Sequence, residues 1–145
     1  MTTLRDALIQ GFEYDLWANL KWMAHLEQRG WPEPERGIFC HILAAQNTWE
    51  LRLRGESPTS LVAPEPSEAS LLDLHTRWVG SLEGDVERVI AYKRTTGEAR
   101  AMPVHAIARH VINHGTYHRG ELRGLCRAAG EEDFPETDMA GFFTS

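Results

Sequence analysis

From about Thr3 to Arg29, Leu4, Leu8, Phe12, Leu16, Asn19, Met23 and Leu26 recur at three- and four-residue spacing, laying one stripe along a long helix. Such a stripe has to be covered by other elements, and three further segments share its period. Thr3 and Asp6 make a capping pair at the start of this first helix, and Gly30 followed by Trp31 and Pro32 stops it. A second helix is expected from about Gly37 to Arg54, after Pro32-Glu-Pro34 and before Gly55, with Ile38, His41, Ala44, Ala45, Thr48 and Leu51 facing inward. The connection from Glu56 to Pro66 holds three prolines and should run extended over the surface. A third helix is expected from about Ser67 to Tyr92, with Leu71, His75, Trp78, Leu82, Val86 and Val89 on one stripe. Tyr92 to Met102, around Thr95-Thr96-Gly97, suits a small hairpin. Pro103 then suits the first turn of a fourth helix, which Gly130 closes. The tail from Glu131 to Ser145, acidic and then aromatic at Phe142 and Phe143, is expected to pack loosely or at an interface. No alternating strand pattern competes. The expected fold is all-α, a single four-helix-bundle domain spanning residues 1–145.

Composition enters mainly by exclusion. A formal charge of −6, with Lys and Arg scattered, lacks the basic face that a phosphate-backbone binder needs. No apolar run approaches the ~20 residues of a membrane span, and the opening Met-Thr-Thr-Leu-Arg-Asp has no signal-like character. Cys40 and Cys126 are too few for a disulfide framework. A cytoplasmic protein with neither nucleic acid nor membrane as partner is the expectation.

The chemistry concentrates in the fourth helix. His114 and His118 in His114-Gly-Thr-Tyr-His118 are offset by only about 40° and roughly 6 Å, so both imidazoles can reach one ion. A two-histidine half-site needs another ligand, and His41 faces inward from the second helix. Neutral imidazoles suit zinc, nickel, iron or manganese, and catalytic sites often combine three protein ligands with water. Ala44, Ala45 and Thr48 beside His41 are small and should leave a hollow. On the residues alone, a metal triad and a hydrogen-bonded, metal-free group of core histidines both stay open.

The other candidates rank lower. His110 lies one turn before His114 on the same face and is a lesser candidate ligand, but three successive turns span roughly 12 Å, too far for all three to share an ion comfortably, so it reads first as core or as a support to the ligands. His75 reads as a satisfied core histidine, and His25 and His105 as solvent-accessible. Cys40 points about 100° from His41, Cys126 drifts off the His118 face, and both read as small buried residues. The His-Glu-x-x-His pattern is absent because Gly115 stands where the glutamate would be. Most of the five tryptophans should be core, with Tyr14 and Trp17 as alternative pocket residues.

Tyr14-Asp-Leu-Trp17-Ala-Asn19, then His41-Ile-Leu-Ala-Ala with Trp49-Glu-Leu-Arg52 and Gly55, then His110-Val-Ile-Asn-His114-x-x-x-His118-Arg-Gly together resemble the DinB family. These are damage-inducible, metal-binding four-helix bundles, and the resemblance covers nearly the whole chain. It implies that His41, His114 and His118 hold a divalent metal, that a long crossover joins the second and third helices, and that homodimers form. Glu121 replaces a common glutamine after Arg-Gly, and Tyr117 a frequent histidine. Neither removes a ligand, and Glu121 is read as a solvated residue with a lesser chance of acting as ligand or base.

Two functions follow from the resemblance. The first is a metal-dependent enzyme of the thiol-transferase or hydrolase type, taking a small-molecule substrate and a low-molecular-weight thiol such as bacillithiol or mycothiol. The second is a non-catalytic metal-binding stress-response protein. A nucleic-acid role is suggested only by the family's name, and the acidic balance opposes it.

Overall fold

The computed structural model describes residues 1–145, with five helices and one two-stranded sheet. Helix α1 (Leu4–Gln28) starts on the expected capping box: Thr3 Oγ1 accepts from the Asp6 amide at 3.1 Å, and the Asp6 carboxylate accepts from the Thr3 amide at 3.0 Å. Helix α2 (Glu35–Leu53) ends just before Gly55, which takes a left-handed φ of 91° that L side chains rarely adopt. Residues 54–67 form the crossover to α3 (Glu68–Ser81). Two bonds tether it to α2: Asn47 Nδ2 donates to the Val62 carbonyl at 3.0 Å, and the Val62 amide donates to Thr48 Oγ1 at 3.1 Å.

Helix α3 is shorter than its apolar spacing predicts, ending at Ser81 rather than near Tyr92. Leu82 and Val86 are buried as expected, but Val89 is 65% exposed, because the chain has left the helix by then. Gly84 adopts a left-handed φ of 82°, and the Arg88 guanidinium donates to the carbonyls of Ser81, Glu83 and Asp85, satisfying the helix end. The β-branched residues Val89 and Ile90 then enter strand β1 (Val89–Lys93), which pairs antiparallel with β2 (Ala99–Pro103). The hairpin therefore begins within the segment read as helix, and it is the one departure from an all-helical chain. Pro103 is the N-cap of α4 (Val104–Ala128) rather than part of its first turn. The first amides of α4, on Val104 and His105, donate to the carbonyls of Arg88 and Val86, so the end of the hairpin sets where α4 begins.

The core is divided into two apolar lobes. Leu8 and Phe12 of α1, Trp78 of α3, and Val104, Ile107 and Val111 of α4 belong to one lobe. Trp22 and Leu26 of α1, Phe39 and Ile42 of α2, Leu71 and Leu74 of α3, and Leu122 and Cys126 of α4 belong to the other. Helices α1 and α4 therefore run in the same direction, and α2 and α3 run together the opposite way. Two consecutive parallel helices cannot be joined by a tight turn, which is why the α2–α3 crossover must be long.

The tail folds back on its own chain. Short α5 (Met139–Thr144) sets Phe142 edge-on to Tyr14 and Trp17, with ring centroids 6.0 and 5.7 Å away. Trp22 Nε1 donates to Thr137 Oγ1 at 3.2 Å. No helix is long and apolar enough to cross a membrane.

Candidate metal centre

Between the lobes lies a polar belt, and α4 contributes to it on two faces. Gly115 and Arg119 turn toward α1. The Arg119 guanidinium donates to Asp15 Oδ1 at 2.9 Å and to Asn19 Oδ1 at 2.7 Å, and Asn19 Nδ2 donates to Asp15 at 3.2 Å. Asp15, Asn19 and Arg119 are all buried, and Arg119 also lies over the Tyr14 ring at 5.3 Å. A β-carbon on Gly115 would sit 2.7 Å from Asp15 Oδ1 and 2.9 Å from Arg119 Nη1, so only glycine leaves room for the pair. This network registers α4 against α1 one residue along from the histidines.

On the other face, about 100° around the helix, His114 and His118 meet His41 of α2. One ring nitrogen from each of the three lies within 4.8 Å of the others. His41 Nε2 and His114 Nε2 are 3.2 Å apart, close to the roughly 3.3 Å between two nitrogens on one tetrahedral ion with bonds of about 2.0 Å. The ring centroids are separated by 4.9, 4.7 and 4.5 Å. All three residues are half-buried, so the donors converge without being sealed from solvent.

The electrostatics keep His41 and His114 in the ligand form. Burial, then the imidazoles of His118, His41 and His110, lowers the His114 pKa to about 4. Burial and His118 also lower His41. Protonation would bring positive charges together in a partly desolvated place, whereas a neutral imidazole offers its lone pair. His118 Nδ1 lies 2.9 Å from Glu121 Oε1. With Nδ1–H donating to the carboxylate, Nε2 is left to face the other two rings, an arrangement that orients and strengthens a histidine ligand. Glu121, read from sequence as solvated, is half exposed yet makes this specific contact.

His110 stays outside the cluster. It is exposed, and its ring meets Trp49 edge-on at 5.5 Å and His114 at 5.8 Å. Ala44 and Ala45 are buried, in a stretch of α2 from Ile42 to Thr48 whose residues are all buried. Their small side chains suit close packing of neighbouring helices, while the three imidazoles stay partly exposed. His75 is only partly buried and its Nδ1 is enclosed without a partner, contrary to a satisfied core histidine. His105 is partly exposed, with the same unpartnered Nδ1 enclosed where α4 begins beside the hairpin. His25 is likewise partly exposed and bonds Glu131 at 3.1 Å beside buried Cys126.

A family model described as the DinB family matches residues 36–143, a span that includes all three clustered histidines. No curated protein matches the chain.

Proposed function

The chain belongs to the DinB family, and from that premise we propose that His41, His114 and His118 hold one divalent metal ion for catalysis. The observation that carries this reading is the convergence of three half-buried imidazoles on one point, with the pKa values of His41 and His114 held down. A closed structural site would surround its ion with four protein donors, whereas three donors leave a position for substrate or water. Zinc or nickel fits three nitrogen ligands best, with iron and manganese as alternates. When bound, the ion supplies a Lewis acid that acidifies a thiol or water and orients an electrophile.

The proposed reaction class is thiol transfer to a small electrophilic molecule, with hydrolysis as the near variant, on a four-helix-bundle scaffold. In this reading Glu121 holds the His118 ring in its ligating tautomer and orientation. Trp49 and His110 form an aromatic rim beside His114. The Asp15–Arg119 network keeps the histidine face of α4 aimed at α2. A homodimer is proposed on family grounds, and light scattering tests it: a mass near 16.4 kDa means monomer, and about twice that means dimer.

The test of function is a screen of low-molecular-weight thiols with electrophiles, using zinc- or nickel-loaded protein. Metal-dependent conjugation that disappears in His118→Ala supports a transferase. Turnover without thiol assigns a hydrolase. Full metal loading with neither activity makes the protein a non-catalytic metal binder and overturns the enzyme reading.

A further inference from the structure

A second cluster of metal-ligating side chains lies in the other half of the molecule. Because α1 and α4 run in the same direction, their last turns end side by side. That places His25 of α1 beside Cys126 of α4, and the chain leaving α4 returns Glu131 to the same spot. Cys126 Sγ is 3.9 Å from His25 Nε2, His25 Nε2 is 3.1 Å from Glu131 Oε1, and all three donors lie within 4.8 Å of one another. We propose that His25, Cys126 and Glu131 form a second metal site, selective for a thiophilic divalent ion of the zinc type and separate from the three-histidine centre.

The geometry is that of converging ligands. On a tetrahedral ion with bonds of about 2.3 Å to sulfur and about 2.0 Å to nitrogen or oxygen, the sulfur–nitrogen separation is about 3.5 Å and the nitrogen–oxygen separation about 3.3 Å. The observed separations fall within 0.4 Å of these values. A nucleophilic cysteine would need a different layout, with the carboxylate on the ring nitrogen opposite the sulfur. Here the thiol and the carboxylate both address Nε2. Burial and its bond to Glu131 push the Cys126 thiol up to about 11, so the free thiol is inert and its proton leaves only when an ion replaces it.

Access and charge fit as well. A groove of about 610 Å³ runs beside the cluster, lined by His25, Arg29, Glu131, Glu132 and Asp133 among others. Its three carboxylates attract a cation. The opposing charges are Lys21, which lies over the Trp17 ring at 4.9 Å, and the Arg29 guanidinium, which pairs with the same Glu131 Oε1 from a side chain 40% exposed and can withdraw to solvent when an ion takes that oxygen. An ion here ties together the ends of α1 and α4 and the start of the tail.

Cobalt(II) titration of the full chain tests the proposal, because thiolate ligation gives an intense sulfur-to-cobalt charge-transfer absorption that imidazoles do not. We expect that band in the wild type, in Cys40→Ser and in a His114→Ala/His118→Ala variant, and a rise in melting temperature of that last variant on adding zinc. In Cys126→Ser, with folding checked by circular dichroism, the band disappears. If Cys126→Ser fails to fold, His25→Asn and Glu131→Gln serve instead, each shifting the band and weakening cobalt binding by at least tenfold. A wild type without the band, a band lost only in Cys40→Ser, or His25→Asn and Glu131→Gln that bind like wild type overturns the second site. Loss of the three-histidine centre leaves the band in place, so the two readings fail separately.

Discussion

Gly115→Ala reverses the sign expected of a glycine-to-alanine change in a helix. In an exposed helix interior, alanine stabilises relative to glycine by about 0.8–1.0 kcal/mol. At position 115 the new β-carbon meets Asp15 Oδ1 at 2.7 Å and Arg119 Nη1 at 2.9 Å, both in a buried ion pair. Both groups are side-chain ends, but neither has solvent to retreat into, so one partner must separate from the other. Breaking a buried pair costs about 3–5 kcal/mol. Subtracting the helix-propensity gain leaves a net loss of roughly 2–4 kcal/mol. For 145 residues the unfolding entropy is about 0.3 kcal/mol per degree, so the melting temperature should fall by about 7–13 °C. Gly124 lies on the same helix with nothing within 4 Å of its β-position, and Gly124→Ala should raise the melting temperature by about 3 °C. Calorimetry of the two variants beside wild type checks the contrast. If Gly115→Ala is as stable as wild type or more so, the Asp15–Arg119 network does not hold α4 against α1.

Glu121→Gln should leave the fold intact and weaken metal affinity by about 10- to 100-fold, whereas His110→Ala should leave metal stoichiometry unchanged; competition with a chelating dye measures both. Unfolded histidines titrate at about 6.5, while His114 is held at about 4 and His41 is also lowered, so between those pH values the unfolded chain binds more protons than the folded one. The metal-free protein should keep this contribution to stability above pH ~6.5 and lose it as the pH falls toward ~4. Urea midpoints that stay level or rise as the pH is lowered from ~6.5 to ~4 would contradict this.

Local patterns in the chain carried most of the helices. The Thr3–Asp6 box and Gly30 bound α1, and the Pro-rich entry and Gly55 bound α2 to within two residues of the expected ends. The third helix misled because Leu82, Val86 and Val89 keep helical spacing across a turn. What ends α3 is a left-handed Gly84 and an arginine seven residues beyond Ser81, and the apolar period registers neither. The histidines were legible for a similar local reason: two share a face by spacing, and an inward His41 follows from its own helix. Pairings between helices were not. Asp15 and Arg119 are 104 residues apart, and nothing in either helix's period says that α1 and α4 run the same way. For that reason His25 read as solvent-facing, Cys126 as filler and Glu131 as the start of an acidic tail. Glu121 is exposed as its reading expected, but its bond to His118 Nδ1 was not legible, because an exposed carboxylate has the same sequence signature with or without such a partner.

The central claim is that His41, His114 and His118 together hold one divalent ion. Elemental analysis of desalted protein in a Cys126→Ser background, where no thiolate ligand contributes, tests it most directly. One equivalent of metal per chain is expected there, with none in the same background carrying His41→Ala, His114→Ala and His118→Ala. Full occupancy in that variant would place the ion elsewhere and contradict the assignment.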